Sequence, residues 1–350
     1  MGKVSVGLEV GTDSIKAVEL VHRRRGYKLR KLARMKTPLA NANSNMQEVI
    51  AEAIKGLFDK YKISTKQVIS GVGGDSVIIR KIKTPLMTEK ELKGAIRWEA
   101  EEYIPYPIDQ VSLGFYILKE ELLPREEKKM SVILVGVKKE VINTHLQILQ
   151  RAGISPQVID VNPLALFNIY ELSNPGEMDG IALVEIGHST TTIILLNKGN
   201  PFLIRSINIG GSQLTQAIVK ELNIDYTAAE EMKRRYGLLS LSEGKVVDEK
   251  KIKVDQIIKK SIADLVEEIA RSFEYYSSQT EGAKVKKIVL SGGTSSLKNM
   301  DNFLASELGL PVGIFNPFDN IVYNSRAFKP EYLAQEGPIF SIAVGLALRG

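Results

Sequence analysis

Apolar and polar residues alternate from the first positions of the chain: Val4, Val6, Leu8 and Val10 are separated by Ser5, Gly7 and Glu9. A period of two is that of a strand with two distinct faces. Gly11-Thr12-Asp13-Ser14 interrupts it, after which Ile15, Ala17, Val18, Leu20 and Val21 resume an apolar pattern. Two strands joined by a tight turn are expected, and residues 3 to 36 read as three successive strands. From Gln47 to Tyr61 the period lengthens, with Val49, Ile50, Ala53, Ile54, Leu57 and Phe58 on one helical face. Short buried strands follow at 68–72 and 76–83, with Gly73-Gly74-Asp75 turning between them.

The pattern changes after Thr84-Pro85. Thr88, with Glu91 three residues on, predicts a capping box and a helix through Trp98 to about Tyr103, stopped by Ile104-Pro105-Tyr106-Pro107. Strands near 111–118 and 131–137 and a helix over 138–151 complete a compact α+β insertion at 84–157, with Pro124 to Lys129 as an exposed loop. Beyond a short strand at 159–161 and a helix from Pro163, strands at 181–187, 190–197 and 201–209 repeat the opening of the chain. Helices are then expected at 213–221 and 228–236, capped in the second case by Asp225 or Thr227, and over a long stretch after a polar loop at 237–251. In that long helix Ile257, Ile258, Ile262, Leu265, Ile269 and Phe273 read as core. A strand at 286–290 runs into Ser291-Gly292-Gly293-Thr294, a helix follows at 299–308, and the apolar stretch 339–348 reads as a closing helix with a close contact at Gly345.

A length of 350 residues suggests about two domains. The chain has no cysteine and three scattered histidines (His22, His145 and His188), which removes disulfides, thiolate chemistry and a histidine metal centre. No apolar run reaches the roughly 18 residues of a membrane span. The strand that follows Met1-Gly2-Lys3 leaves no room for a signal peptide, so a cytoplasmic protein is expected. The net charge of +6 is uneven. His22-Arg23-Arg24-Arg25, Lys28, Arg30 and Lys31 crowd the hairpin around Gly26-Tyr27. This reads either as a solvated turn or as attraction to anionic lipid or an acidic partner. Nucleic acid is disfavoured, since no aromatic platform interleaves with these charges.

The chemistry lies in a repeated turn. Glu9-Val10-Gly11-Thr12-Asp13-Ser14 and, half a chain-length later, Glu185-Ile186-Gly187-His188-Ser189-Thr190 share a glutamate, an aliphatic, a glycine and hydroxyls before an apolar strand. Glycine lets a ligand approach the backbone, and consecutive amides in such a turn cradle an anion. Two copies imply two similar halves facing one another across a cleft, with a phosphate chain between opposed hairpins. Gly210-Gly211 at the start of a helix is another anion-friendly position, and Gly292-Gly293 after a strand suits a flat ligand lying over the backbone.

These hairpins, the late Gly-Gly and the Ala229-Glu230-Glu231-Met232-Lys233 helix resemble the actin-like ATPase superfamily, nearest its FtsA/PilM branch of bacterial division and pilus proteins. The insertion, with Arg97-Trp98-Glu99-Ala100 and Tyr103 to Pro107, is similar to that of the pilus members, as are 159–166 and 343–349. The resemblance implies a duplicated α/β fold of the actin-like (ribonuclease H-like) kind. A first subdomain would be formed by 1–83, 158–180 and 325–350, and an inserted one by 84–157. A second actin-like subdomain would be formed by 181–225 and 281–324, with a helical adenosine-side subdomain at 226–280. It also implies ATP with Mg2+ as ligand. Gly11, Thr12, Asp13, Ser14 and Lys16 would lie on the first phosphate turn, and Gly187, Ser189 and Thr190 on the second. Gly210 and Gly211 would face phosphate or ribose, Glu230 and Lys233 ribose and base, and Gly292, Gly293 and Thr294 the adenine. Glu9 and Glu185 would hold magnesium through water.

The superfamily usually has aspartate at Glu9 and Glu185, and glutamate or glutamine at Asn162. An amide cannot act as a base, so Asn162 and Glu185 are poor catalytic groups and at most slow hydrolysis is expected. The function implied is an ATP-binding scaffold of type IV pilus or related secretion assembly, peripheral at the inner membrane. The cytoplasmic N-terminal segment of a PilN-like inner-membrane protein would dock near Trp98, Tyr103, Ile104, Pro105, Tyr106 and Pro107. The resemblance also implies contacts with other inner-membrane or motor components, and self-association. The alternatives are a small-molecule kinase of the same fold, for which no carboxylate base stands out, and a division protein. The chain's stop at Arg349-Gly350, without a C-terminal amphipathic helix, argues against the last.

Overall fold

The computed structural model describes residues 2–38, 45–64, 66–118, 129–176, 178–238 and 248–350. The expected loops at 124–129 and 237–251 fall largely outside these residues. The chain opens with β1 (Val4–Val10), β2 (Ser14–His22) and β3 (Tyr27–Lys36), then α1 (Met46–Tyr61) and β4 (Val68–Val72). Next come β5 (Val77–Pro85), α2 (Glu89–Glu101), β6 (Val111–Ile117) and β7 (Lys129–Lys138). The first half closes with α3 (Lys139–Arg151), β8 (Val158–Val161) and α4 (Asn162–Ser173).

The second half starts again with three strands, β9 (Ile181–Ile186), β10 (Thr191–Asn197) and β11 (Asn200–Ile207). Helices α5 (Gly211–Leu222), α6 (Tyr226–Tyr236) and α7 (Glu249–Gln279) follow. The chain ends with β12 (Lys287–Ser291), α8 (Met300–Leu308), β13 (Val312–Ile314), α9 (Pro330–Glu336) and α10 (Ser341–Ala347).

The two halves build the same sheet. Its order is β3-β2-β1-β4-β8 in the first and β11-β10-β9-β12-β13 in the second. In each, the hairpin strands are antiparallel and the next two strands parallel to the first. The central strands are covered on both faces, which is why β9 is almost continuously apolar. Helix α10 is pressed between the first sheet and α4: a side chain at Gly7 would overlap the Ala343 carbonyl, and one at Gly345 the Ala165 carbonyl of α4. The close contact expected at Gly345 is therefore made by α4. One core cluster runs through both halves, joining Val18, Ile69 and Leu166 to Leu183, Ile194 and Phe340. Among the described residues no helix is long and apolar enough to cross a membrane.

A third sheet, in the order β5-β7-β6, carries α2 on one face. Thr88 and Glu91 form the expected capping box at the start of α2. The strand after Gly73-Gly74-Asp75 belongs to this sheet and not beside β4, for it pairs with β7 from Val77↔Val137 to Pro85↔Lys129. In turn, Ile148 and Leu149 of α3 pack with Leu57 and Phe58 of α1 on the first sheet. The inserted sheet thus hangs on two adjacent connections, 73–76 entering and Lys138 leaving, where Lys138 N donates to Ser76 O at 3.4 Å. Asp75 also accepts a hydrogen bond from Asn208 Nδ2 of the second half.

Candidate functional site

The parallel strands of both sheets end on a common cleft, a cavity of about 540 Å³. Each repeated turn is closed alike: Gly11 N donates to Ser14 O at 3.1 Å and Gly187 N to Thr190 O at 2.9 Å. The turns meet tip to tip, with Thr12 Oγ1 and Ser189 Oγ 3.0 Å apart. Opposed hairpins inferred from a repeat are thus in contact across the cleft.

Below the tips, register places Lys16 opposite Glu9 on the hairpin. Lys16 Nζ donates to Glu9 Oε1 at 2.5 Å, with both side chains nearly out of solvent. Glu9 Oε2 is buried and has no partner. Glu185 lines the same cavity, and burial, together with the neighbouring Glu9, pushes its carboxyl up to about 8 against the opposing pull of Lys16. A hard cation would find here two carboxylates, one of them with an orphaned oxygen, but no complete cage. Among the described residues no group of three or more His, Asp or Glu is assembled. The donors fit a magnesium ion that keeps several waters.

Asn162, the first residue of α4, lies over the β4–β5 turn, where side chains at Gly71 or Gly73 would collide with its amide. Its Oδ1 is buried without a partner. On the far wall Lys233 Nζ donates to Gly211 O (2.9 Å) and Thr215 Oγ1 (2.7 Å) and pairs with Glu230 (2.7 Å). Burial alone would raise the Glu230 carboxyl, but donors on Lys233, Thr215 and Arg234 outweigh it and bring the carboxyl to about 2. The same burial pulls the Lys233 ammonium down.

The expected site residues divide into two groups. Gly11, Thr12, Asp13, Ser14 and Lys16 line the cavity, as do Gly187, Ser189 and Thr190 of the second turn. Glu230, Lys233, Gly293 and Thr294 line the other end. Gly210, Gly211 and Gly292 do not. Gly211 N donates to Gly187 O at 3.0 Å, so the Gly210-Gly211 turn supports the second hairpin from behind. Gly292 has a φ of +87°, and a Cβ there would sit 2.5 Å from Ile186 O and 2.7 Å from Glu185 Oε1. It is the bend that lets Gly293 face the cleft.

The cavity also contains residues missing from the sequence expectation. Gly73 and Gly74 follow β4 as Gly292 and Gly293 follow β12, a second repeat that was legible. Arg34 stands opposite Lys16 in the β2–β3 register and reaches Glu336 at 2.9 Å and Asp13 at 3.6 Å. His188, whose imidazole is pulled down by burial, and Ile339 and Ile342 also line it.

On the inserted sheet Trp98 is 73% exposed. Pro105 and Pro107 are exposed and Tyr103 half-buried. Tyr106 is also half-buried, and Lys138 Nζ lies 4.0 Å from its ring centroid. Ile104 is different: it is 5% exposed and fills the space above Gly136, in contact with the core of the insertion and not with solvent. A second cavity, of about 580 Å³, lies between edge strands β5 and β11, with Ile79, Leu203 and Tyr275 in its wall.

The family described as "Type IV pilus assembly protein PilM" matches residues 7–350. A solved PilM-PilN type IV pilus biogenesis complex superposes with a TM-score of 0.85 and 30% identity, over 99% of this chain and 98% of that one. MreB 5 of Spiroplasma citri bound to AMPPNP shares the fold alone, with a TM-score of 0.54 and 12% identity over 99% and 95% of the two chains. The cell division protein FtsA of Staphylococcus epidermidis is 24% identical over 210 residues, which are 57% of this chain and 45% of that protein. The chain therefore spans less than half the length of that relative.

Proposed function

Because the chain belongs to the family of the type IV pilus assembly protein PilM, we propose that it is an ATP-binding assembly scaffold that engages the cytoplasmic N-terminal segment of a PilN-like inner-membrane protein. The observation that carries the nucleotide reading is the pair of equivalent turns meeting at 3.0 Å over one cavity. The binding of AMPPNP by MreB 5 and the capture of PilN by PilM support the two halves of the proposal. A kinase or a division protein is not favoured.

In this reading the amides and hydroxyls of both turns and Lys16 hold the phosphates. Glu230 and Lys233 face the ribose, and Gly293 and Thr294 lie against the base. Glu9 and Glu185 orient a magnesium ion through water, and the ion's part is to offset phosphate charge. Asn162 positions water by hydrogen bonding but cannot accept its proton, so the nucleotide is a structural or switching ligand with slow turnover.

The partner segment docks on the inserted sheet at Trp98, Tyr103 and the Pro105-Tyr106-Pro107 stop. Calorimetric titration of Mg·ATP, and then of a peptide matching a PilN-like N-terminal segment, tests both halves. Trp98→Ala should weaken the peptide by about tenfold or more and leave the melting temperature unchanged, since the ring is exposed. A second docking place is the groove between β5 and β11, whose two strand edges are unpaired among the described residues and suit an extended peptide. If Tyr275→Ala weakens the peptide and Trp98→Ala does not, the groove is the site. A peptide that binds the parent in neither place refutes the partner reading.

A further inference from the structure

The first hairpin has two ends, and only one is accounted for by the cleft. At the other end, Arg23, Arg24 and Arg25 stand exposed on the turn between β2 and β3. The turn is closed by Arg23 N donating to Gly26 O at 3.0 Å, with Gly26 at a φ of +80°. Three guanidinium groups therefore radiate from a short turn fixed to a five-stranded sheet. Lys3 approaches the same place, close enough to His22 to disfavour its protonation, although burial is the larger cause.

These charges are not neutralised among the described residues. Among the described residues Arg23, Arg24 and Arg25 take part in no ion pair, and Lys28 in none. Arg30 is the exception, reaching the buried Glu19 at 3.2 Å. No Asp or Glu stands anywhere between Glu19 and Glu48. An apolar side chain sits within the cationic patch: Val322 bridges to Lys28 and is 52% exposed.

We propose that this tip, formed by Arg23, Arg24, Arg25 and Lys28 with Lys3 and Val322, is a docking surface for an anionic lipid bilayer. A convex tip of unpaired cations can bring several charges to a flat surface at once, whereas an acidic peptide would need walls that a tip does not have. Basic groups act on such a surface within a Debye length of about 8–10 Å, and an apolar group among them can enter the headgroup layer. Strand β1 runs from the tip end at Val4 to the cleft at Val10, so at about 3.3 Å per residue the lipid contact lies roughly 20 Å from the nucleotide turns. The surface and the cleft can be occupied together.

Flotation of the full chain with vesicles tests this, using pure phosphatidylcholine and phosphatidylcholine containing a minority of phosphatidylglycerol. The parent should float only with the anionic vesicles and should be released by high salt. Each basic residue near such a surface contributes about fivefold, so Arg23→Gln, Arg24→Gln and Arg25→Gln together should weaken binding about 10²-fold. The triple Arg→Lys variant should retain binding, because point charge suffices. The control is Lys250→Gln, Lys253→Gln and Lys260→Gln on α7, exposed positions with the same change in net charge; it too should retain binding. Equal flotation with neutral vesicles would overturn the proposal, as would a triple Arg→Gln variant that binds like the parent or a control that loses as much. Capture of polyglutamate by the same arginines, with no vesicle binding, would replace the bilayer by an acidic protein.

Discussion

Gly292 and Gly293 are adjacent in sequence and should respond oppositely to a side chain. A Cβ at Gly293 meets nothing within 4 Å, because it points into the cavity. Gly293→Val should therefore change the stability of the ligand-free protein by no more than about 0.5 kcal/mol, as at an unconstrained surface position. At Gly292, with φ +87° and a carbonyl 2.5 Å from the added carbon, the same step meets backbone. A left-handed non-glycine residue costs about 1–2 kcal/mol and overpacking about 1–3 kcal/mol, so Gly292→Ala should lose roughly 2–5 kcal/mol. Ligand reverses the comparison. Mg·ATP at a hundred times its Kd adds about 2.7 kcal/mol to the folded state, which at about 2–4 °C per kcal/mol is a rise of roughly 5–10 °C in melting temperature. Gly293→Val should show no such rise, since the branched side chain fills the place of the base. Scanning calorimetry of the three proteins with and without Mg·ATP makes the measurement. A parent and a Gly293→Val variant that shift alike would remove the nucleotide from this end of the cleft. A ligand-free Gly293→Val protein as unstable as Gly292→Ala would show that the space is not open.

Two further outcomes are expected. His145 is buried in α3 with Ser70 Oγ 2.8 Å from its Nε2, and burial pulls its imidazole down to about 4. A depressed histidine favours the folded state above the unfolded value of 6.5 and loses that contribution as pH falls towards 4, so stability should drop by up to on the order of 3 kcal/mol between these limits. Urea melts of the parent against His145→Gln should show this part of the acid loss only in the parent. In the cleft, Glu9→Asp, Glu185→Asp and Asn162→Glu together should raise phosphate release in single turnover from a parent rate far below about 1–10³ per second; a fast parent, or a variant that binds ATP and gains nothing, would show that these positions do not limit the chemistry.

The cleft was legible because its signal is local and occurs twice. Glu9 to Ser14 and Glu185 to Thr190 carry their chemistry within a few residues, and identical sheet orders bring them together. What was hidden depends on residues far apart in sequence. The sequence marks 76–83 as a strand, but its partner lies some fifty residues later in β7, so the pattern could not say which sheet it joins. Ile104 sits in a stretch of prolines and tyrosines that suggests a surface, and only Gly136 on a different element explains why it is buried. Gly210 and Gly211 have the sequence of an anion site, yet Gly210 N donates to Gln213 Oε1, and Gly211 N and Ser212 N donate to the Gly187 and His188 carbonyls of the second turn. Arg34 was hidden for another reason: a bulge between Glu19 and Leu20 shifts the β2–β3 register by one, and plain counting from the turn would put Ala33 opposite Lys16.

The short link 73–76 joins regions that the sequence keeps apart. Gly73 and Gly74 floor the cavity, Asp75 holds Asn208 of the opposite half, and Ser76 is tied to Lys138 at the other root of the inserted sheet. If the halves separate, the Asp75–Asn208 bond must break or the inserted sheet must turn with it. The inserted sheet and the floor of the cleft are thus anchored by the same four residues, so a substitution within 73–76 acts on both at once.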